Sequence, residues 1–170
     1  GSCFIFTARF GVSAEGKKIR REIPADFKEM RVLVVDDNPS AREILSHALA
    51  SFSLDVSQVA SGLEAMAELE AAIGDQPYHL VIMDWKMPGM DGIETSKRIK
   101  SHPRLLRIPT ILMVTAYGQE EVRNQADAAG IDAFLVKPVS NSILFDAIIN
   151  VFGLKVGDKR SFPLQEPHIF

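Results

Sequence analysis

The chain alternates between short apolar runs and longer amphipathic segments from residue 31 to residue 152. The apolar runs are rich in β-branched residues and end in polar ones, as buried strands do. The segments between them place apolar residues three and four positions apart, which is typical of helices. Strands are therefore predicted at Val32–Val35, Asp55–Val59, Leu80–Met83, Thr110–Val114 and Ala133–Val136.

The predicted helices carry start and stop signals. Asn38 is a good helix cap, and Pro39 suits the first helical position. In the second helix, Leu63 is expected on the buried face together with Leu69. Five helices are predicted. The first begins at Pro39 and the third at Asp91. The second covers residues 62–73, the fourth covers residues 119–129 and ends before Gly130, and the fifth covers residues 141–152.

Five strands alternating with five helices predict an α/β fold, with a parallel sheet covered on both faces. Right-handed crossovers make that sheet doubly wound. In such sheets the functional crevice lies beyond the carboxyl ends of the strands, where the winding reverses. The residues that follow each strand are therefore the candidates for function.

Composition narrows the classes of function. Of the 170 residues, 46% are hydrophobic and 24% charged, which is the profile of a globular domain. A net charge of -3 gives no support for nucleic-acid binding, which favours a basic surface. The single cysteine, Cys3, excludes an intramolecular disulfide. No membrane span or signal peptide is recognisable, so a cytoplasmic domain is expected, whether or not the natural protein is anchored in a membrane.

Polar side chains follow four of the predicted strands. Asp36 and Asp37 follow the first strand, Asp84 the third, Thr115 the fourth and Lys137 the fifth. If these strands are neighbours, three carboxylates, a hydroxyl and an ammonium share one pocket. Clustered carboxylates need a cation, and oxygen ligands with open positions suit Mg²⁺ together with phosphate. Such a pocket is suited to phosphoryl transfer, and a carboxylate on the metal side can be the nucleophile.

Each of these residues alone has a simpler explanation. An aspartate at a strand end is most often a helix cap or a loop residue. Thr115 alone would be structural, and Lys137 alone a solvated side chain. The joint pattern favours function, because all of them fall at the same end of successive parallel strands.

Four motifs, "VLVVDDN", "VIMDWKMPGMDGIE", "ILMVTAYG" and "AFLVKP", resemble those of the response-regulator receiver domain of two-component signalling, in order and in spacing. The resemblance covers residues 31–152 and implies a flavodoxin-like strand order, 2-1-3-4-5. It implies that Asp84 is the phosphoacceptor and that Asp36 and Asp37 help to hold Mg²⁺. It also implies that the backbone carbonyl of Lys86 completes the metal site.

The resemblance implies that further residues contact the phosphoryl group or change position when it binds. Lys137 matches the lysine that contacts the phosphoryl group, and its bond to Pro138 is expected to be cis. Thr115 matches the switch hydroxyl. Phe134 matches the rotating aromatic, although it also suits a plain core strand.

Two positions beside the pocket are implied to tune how fast the phosphoryl group is lost. Lys86 either reaches the acidic pocket and competes with Mg²⁺ or points to solvent. Tyr117 is bulky, so it is expected to shield an aspartyl-phosphate from water and to lengthen its lifetime.

The regions outside the receiver-like segment suggest a longer parent protein. Residues 1–10 resemble the last strand of a histidine-kinase ATP-binding domain through a G-S-x-F-x-F pattern. Residues 11–30 are predicted to be a linker, residues 31–153 the receiver domain, and residues 154–170 a tail or second linker. An isolated apolar strand seeks a sheet edge. Residues 3–10 are therefore expected to be disordered, docked on the same chain, or exchanged between copies in a homodimer.

The resulting hypothesis is a receiver domain of a hybrid histidine kinase. It would accept a phosphoryl group from phosphohistidine onto Asp84 and pass it to a histidine phosphotransfer domain or to water. The parent kinase core and the phosphotransfer domain are the expected partners. The fragment lacks the ATP-binding motifs of a kinase, so only its own phosphorylation and dephosphorylation are expected of it.

Three other classes share an α/β sheet. A docking module of receiver fold that works without phosphorylation stays open, although such modules tend to lose one of the pocket residues. A phosphatase with an aspartyl-phosphate intermediate places its nucleophile and acid two residues apart, whereas Asp36 and Asp37 are adjacent. A flavin-binding domain needs a glycine- or hydroxyl-rich phosphate loop after the first strand, and the sequence has none there.

Overall fold

The computed structural model describes residues 29–74, 76–116 and 129–153 of the chain. Within these ranges five strands and four helices alternate, and none of the helices is long and apolar enough to cross a membrane. The strands are β1 (Arg31–Val35), β2 (Asp55–Val59), β3 (Leu80–Asp84), β4 (Thr110–Thr115) and β5 (Ala133–Val136). The helices are α1 (Pro39–Ser51), α2 (Gly62–Ala71), α3 (Gly92–Lys100) and α4 (Asn141–Val151).

The strands form one parallel sheet in the order β2-β1-β3-β4-β5. This confirms the predicted doubly wound, flavodoxin-like α/β fold. The winding reverses between β1 and β3, so the crevice lies at the carboxyl ends of these two central strands. The predicted helix over 119–129, the predicted N-terminal strand and the C-terminal tail lie outside the described residues, apart from Ala129.

The sheet is buried on both faces by different helices. Successive residues of β1 alternate between two hydrophobic clusters, so Val32 and Val34 face α1 and α4 while Leu33 and Val35 face α2. All four are fully buried. Burying a large apolar side chain stabilises a fold by roughly 1.5–3 kcal/mol. The central strands therefore hold their carboxyl ends firmly.

The predicted starts of the four described helices are confirmed. Asn38 caps α1, and its side-chain oxygen accepts hydrogen bonds from the backbone N–H groups of Ser40 and Ala41. Asp91 caps α3 by accepting a bond of 2.8 Å from the N–H of Glu94. Both caps satisfy donors that a helix end leaves unpaired.

The predicted buried face of α2 is wrong at one position, because Leu63 is 67% exposed. The buried stripe runs through Gly62, Ala65 and Leu69 instead. A side chain on Gly62 would collide with Thr95, so small residues are needed where α2 meets α3. That close packing turns Leu63 outward. The helix also ends at Ala71, two residues before the predicted end.

Candidate functional site

Three carboxylates meet at the carboxyl ends of β1 and β3. Asp36 and Asp84 are buried, whereas Asp37 is exposed. One oxygen from each lies within 4.8 Å of an oxygen of the other two. The sheet explains this convergence, because Val35 of β1 pairs in register with Met83 of β3. The residues that follow these two therefore lie side by side, as the sequence predicted.

Lys137 joins the carboxylates from the far side of β4. Its Nζ lies 2.6 Å from Oδ1 of Asp84 and 3.0 Å from Oδ2 of Asp36. Its backbone N–H donates to the carbonyl of Thr115 at 2.8 Å, which fixes the residue just after β5. The peptide bond between Lys137 and Pro138 is cis, as predicted. One ammonium thus bridges two buried carboxylates.

Asp36 is held from both its side chain and its backbone. Its Oδ1 accepts a 2.9 Å hydrogen bond from the N–H of Asn38, and its carbonyl accepts one from the guanidinium of Arg42. Arg42 lies on the first turn of α1 and carried no signal in the sequence that linked it to the pocket. These contacts aim the second oxygen of Asp36 at Lys137.

Asp84 is held by a close approach of α3 to the end of β3. The N–H of Gly92 donates to the carbonyl of Trp85 at 2.8 Å, and the N–H of Trp85 donates to the carbonyl of Val114 at 3.0 Å. A Cβ atom on Gly92 would lie 2.3 Å from the backbone oxygen of Asp84. Glycine at this position lets α3 begin directly against the residue that carries the carboxylate.

Burial and charge act in opposite directions on the pocket. Burial raises the pKa of Asp84, and the negative charges of Asp36 and Asp37 add to the rise, while the hydrogen bond from Lys137 opposes it. Burial lowers the pKa of Lys137, but hydrogen bonds to Asp84 and Asp36 outweigh that effect and leave its pKa raised. Lys137 therefore stays charged, and Asp84 is a more basic carboxylate than one in water.

Thr115 and Phe134 lie on the two strands beyond β3. Thr115 is buried at the end of β4, one residue past the register partner of Asp84. Phe134 is partly buried in β5 and packs against a small cluster around Trp85 and Met113. The aromatic side chain is thus in contact with the apolar cluster beneath the pocket rather than deep in the main core.

The sequence left open whether Lys86 reaches the acidic pocket or points to solvent, and the structure shows an exposed residue. Its backbone follows Trp85, and its Nζ lies over the Trp85 ring, 4.4 Å from the ring centroid. This is a cation–π distance. Tyr117, the other residue implied in lifetime, lies outside the described residues.

The residues of the pocket fit a magnesium ion. Mg²⁺ prefers carboxylate oxygens, keeps several waters and is usually held by only one or two protein carboxylates beside a phosphate. Asp36, Asp37 and Asp84 supply such oxygens within one ion's reach. Three carboxylates and one ammonium also leave a formal charge of -2, which a divalent ion neutralises.

A comparison with protein families matches residues 32–149 to the response regulator receiver domain. The chain belongs to this family. The match begins in β1 and ends within α4, so it includes part or all of every described strand and helix. The receiver domain therefore takes part in two-component signalling, and its carboxylate pocket is at the position where the crevice of the fold lies.

Curated relatives of this receiver domain include free-standing and multidomain proteins. The chemotaxis protein CheY-3 of Vibrio cholerae is 34% identical over 74% of this chain and 93% of its own length. The autoinducer 2 sensor kinase/phosphatase LuxQ of the same organism is 38% identical over 74% of this chain but only 14% of its own length. Receiver domains of this kind thus occur alone and within sensor kinases.

One similar solved structure contains the metal that the pocket fits. It is the receiver domain of the sensor histidine kinase PA1611 from Pseudomonas aeruginosa PAO1, described with a magnesium ion coordinated in its active-site cleft. It is 26% identical to this chain, covers 74% of this chain and 98% of its own, and has a TM-score of 0.64.

Proposed function

We propose that this receiver domain accepts a phosphoryl group from phosphohistidine onto Asp84, with Mg²⁺, and relays it in a two-component phosphorelay. The observation that carries the proposal is the contact of 2.6 Å between the Asp84 carboxylate and the Lys137 ammonium, inside a cluster of three carboxylates. An ion pair with a purely structural role needs only one carboxylate. Two further carboxylates are expected where a metal ion and a phosphoryl group both bind.

Asp84 acts as the nucleophile in this proposal. A bond forms between one Asp84 oxygen and phosphorus, and the bond between phosphorus and the donor imidazole nitrogen breaks. The imidazole leaves with its electron pair. Burial supports the reaction, since it makes the carboxylate more basic and keeps bulk water from competing for the phosphoryl group.

The remaining residues stabilise charge on the group in transit. Lys137 already lies against Asp84, so its ammonium is placed to contact an equatorial phosphoryl oxygen. Thr115 offers a hydroxyl from the neighbouring strand end. Asp36, Asp37, Asp84 and the carbonyl of Lys86 would hold Mg²⁺, which supplies positive charge to the phosphoryl oxygens. Such preorganised charges are the main source of catalysis in phosphoryl transfer.

Phosphorylation would change the surface through Thr115 and Phe134. Drawing the Thr115 hydroxyl toward the phosphoryl group leaves space that the Phe134 ring fills. Phe134 is only partly buried and packs against the cluster that contains Trp85, which supports a role at the surface of the domain. The change is a shift between two packings of one fold.

The parent protein in this proposal is a hybrid histidine kinase. The kinase-like pattern at residues 1–10 and the similarity to LuxQ support it. The partners are the kinase core that supplies phosphohistidine and a histidine phosphotransfer domain that receives the phosphoryl group. The domain would work in the cytoplasm, where ATP drives histidine phosphorylation. A free-standing regulator is the second candidate, because CheY-3 is matched over nearly its whole length.

Intact-mass spectrometry after incubation with acetyl phosphate tests the proposal. We expect the wild-type chain to gain one phosphoryl group when MgCl₂ is present and none when it is replaced by EDTA. Asp84→Asn should gain none. Asp91→Asn is the matched control, because it makes the same change seven residues away and asparagine still caps α3; it should be phosphorylated like the wild type.

A phosphohistidine donor should be used as well, because small donors are slow for some proteins. A folded wild-type chain that gains no phosphoryl group from either donor would overturn the proposal. The docking module of receiver fold would then be the better description. If only the histidine kinase core of the same parent protein phosphorylates the domain rapidly, the hybrid-kinase assignment is supported over the free-standing one.

Removing the first 28 residues tests the proposed exchange of residues 3–10 between copies. A chain that begins at Glu29 retains β1, so it should fold and keep its phosphorylation. If residues 3–10 exchange between copies, the shortened chain should be monomeric in size-exclusion chromatography where the full chain is dimeric. Identical elution would remove the segment from any role in assembly.

A further inference from the structure

The side chain of Lys86 has a defined resting position. Its Nζ lies 4.4 Å from the centroid of the Trp85 ring. The two residues are consecutive and directly follow Asp84 in the chain, so the backbone of Lys86 lies two residues from the proposed phosphoacceptor. A lysine in water samples many rotamers, and an aromatic face within about 6 Å of its ammonium favours one of them.

Trp85 is a rigid support for that ammonium. The residue is 5% exposed and packs against Ile93, Met113 and Ala129. Its backbone N–H and carbonyl are both hydrogen-bonded, to Val114 and Gly92. The position of the Trp85 ring is therefore fixed by its surroundings, and the contact depends on the conformation of the Lys86 side chain.

The position of the Lys86 ammonium affects how much negative charge the pocket offers to a metal ion. Asp36, Asp37, Asp84 and Lys137 together carry a formal charge of -2, which suits one divalent cation. A second ammonium among the carboxylates would reduce the charge to -1 and occupy oxygens that a metal needs. Lys86, two residues after Asp84 in the chain, carries such an ammonium.

We propose that Trp85 is a positioning residue that holds the Lys86 ammonium on its ring and so keeps the cation site open to Mg²⁺. Trp85 acts through Lys86 and does not itself bind the metal. The inference rests on the proposed function, since it concerns the same cation site. The resemblance to receiver domains left the orientation of the Lys86 side chain open, and this inference assigns it.

Mg²⁺ titration by isothermal titration calorimetry tests the proposal in a double-mutant cycle. The variants are Trp85→Leu, Lys86→Met and the combination of both. Trp85→Leu should raise the Kd for Mg²⁺ by about twofold to fivefold, the factor that an exposed cation–π contact can supply. Lys86→Met should bind Mg²⁺ at least as tightly as the wild type. The double variant should match Lys86→Met, because no ammonium remains to compete.

A second measurement does not depend on metal binding. The methylene protons next to Nζ of Lys86 should show an upfield ring-current shift in the NMR spectrum of the wild type. That shift should vanish in Trp85→Leu and be retained in Trp85→Tyr, which keeps an aromatic face. Trp85→Tyr should also keep most of the Mg²⁺ affinity. If Trp85→Leu does not fold, Trp85→Tyr still tests the proposal.

The outcomes separate this inference from the proposed function. If the folded wild type binds no Mg²⁺ at millimolar concentration, the proposed function fails and the inference fails with it. If the wild type binds Mg²⁺ but Trp85→Leu weakens binding equally with and without Lys86, Trp85 shapes the pocket directly and the inference alone is wrong. An unchanged Kd in Trp85→Leu or an unshifted Lys86 resonance in the wild type would also overturn it.

Discussion

Gly92 and Asp84 approach so closely that a single methyl group cannot be placed between them. A Cβ atom on Gly92 would lie 2.3 Å from the backbone oxygen of Asp84 and 3.1 Å from the Cα of Trp85. Both neighbours are backbone atoms, so neither can turn aside. The first residue of α3 thereby sets the position of the proposed phosphoacceptor.

Gly92→Ala should therefore destabilise the domain, although alanine is the better helix former. Overpacking of this kind costs roughly 1–3 kcal/mol, more than the ~1 kcal/mol that alanine contributes inside a helix. Phosphorylation from acetyl phosphate should slow as well, because Asp84 is displaced relative to Lys137. Urea denaturation and intact mass measure the two effects. Ser40→Ala, at the exposed start of α1, is the control and should stay within about 0.5 kcal/mol of the wild type.

Lys137→Met should leave two buried carboxylates without their bridging cation. We expect the free energy of unfolding to fall by roughly 1–3 kcal/mol in the absence of metal, since unpaired buried charged groups pay their full desolvation cost. Added MgCl₂ should restore part of the loss. Urea denaturation with and without MgCl₂ measures both.

Lys100→Met is the matched control for Lys137. Lys100 also pairs with an aspartate, Asp132 at 2.8 Å, but this carboxylate is 38% exposed and is not one of the pocket carboxylates. Lys100→Met should lower the free energy of unfolding by about 1 kcal/mol or less, and MgCl₂ should not restore it. Equal behaviour of the two variants would contradict a special role for Lys137.

Ser46→Ala should stabilise the domain. The Ser46 side chain is buried in α1, and its hydroxyl has no hydrogen-bond partner in the described part of the chain. Alanine removes the unsatisfied group and is the better helix former, so a gain of roughly 0.5–2 kcal/mol is expected. Thermal and urea denaturation measure the gain.

Ser96→Ala makes the same substitution at a satisfied hydroxyl. Ser96 is buried in α3 and donates to the carbonyl of Gly92 at 2.7 Å. Its replacement should be neutral or destabilising. A loss of stability in Ser46→Ala as large as that in Ser96→Ala would show that the Ser46 hydroxyl has a partner.

His79 should make the stability of the domain depend on pH. Burial lowers the pKa of His79 from 6.5, and the nearby charges of Arg107 and Arg31 lower it further. The backbone N–H of Arg31 donates to its Nδ1 at 3.2 Å, which requires that nitrogen to be unprotonated. The unfolded chain thus binds the proton more readily than the folded one. Stability is full above the unfolded pKa, falls as the pH drops through it, and levels off below the folded pKa.

His79→Asn removes the titration and keeps an acceptor oxygen near the same place. Urea denaturation between about pH 7.5 and about pH 5.5 should show a smaller loss of stability in this variant than in the wild type. His47→Asn is the control, because it makes the same substitution at a histidine of α1 that is 79% exposed. A wild-type slope that persists in His79→Asn would assign it to another group.

The sequence by itself determined the described strands and helices, the fold class and which residues meet in the pocket. Apolar runs that end in Asp36, Asp84 and Lys137 are local features, and the parallel β-α alternation places all such ends at one edge. The caps at Asn38 and Asp91 were equally local, because a cap depends only on the residues of the first turn.

Only the tertiary structure decided which faces are buried and where long side chains rest. Leu63 is exposed because α2 packs on α3 through Gly62, and the contact between two helices cannot be predicted from the period of one. Gly92 carried no signal beyond its place in a motif, since its constraint comes from the end of another element. The position of Lys86 depends on a ring that other strands and helices hold in place. Spacing along a chain specifies periodic structure, whereas distances between side chains follow from how the finished elements pack.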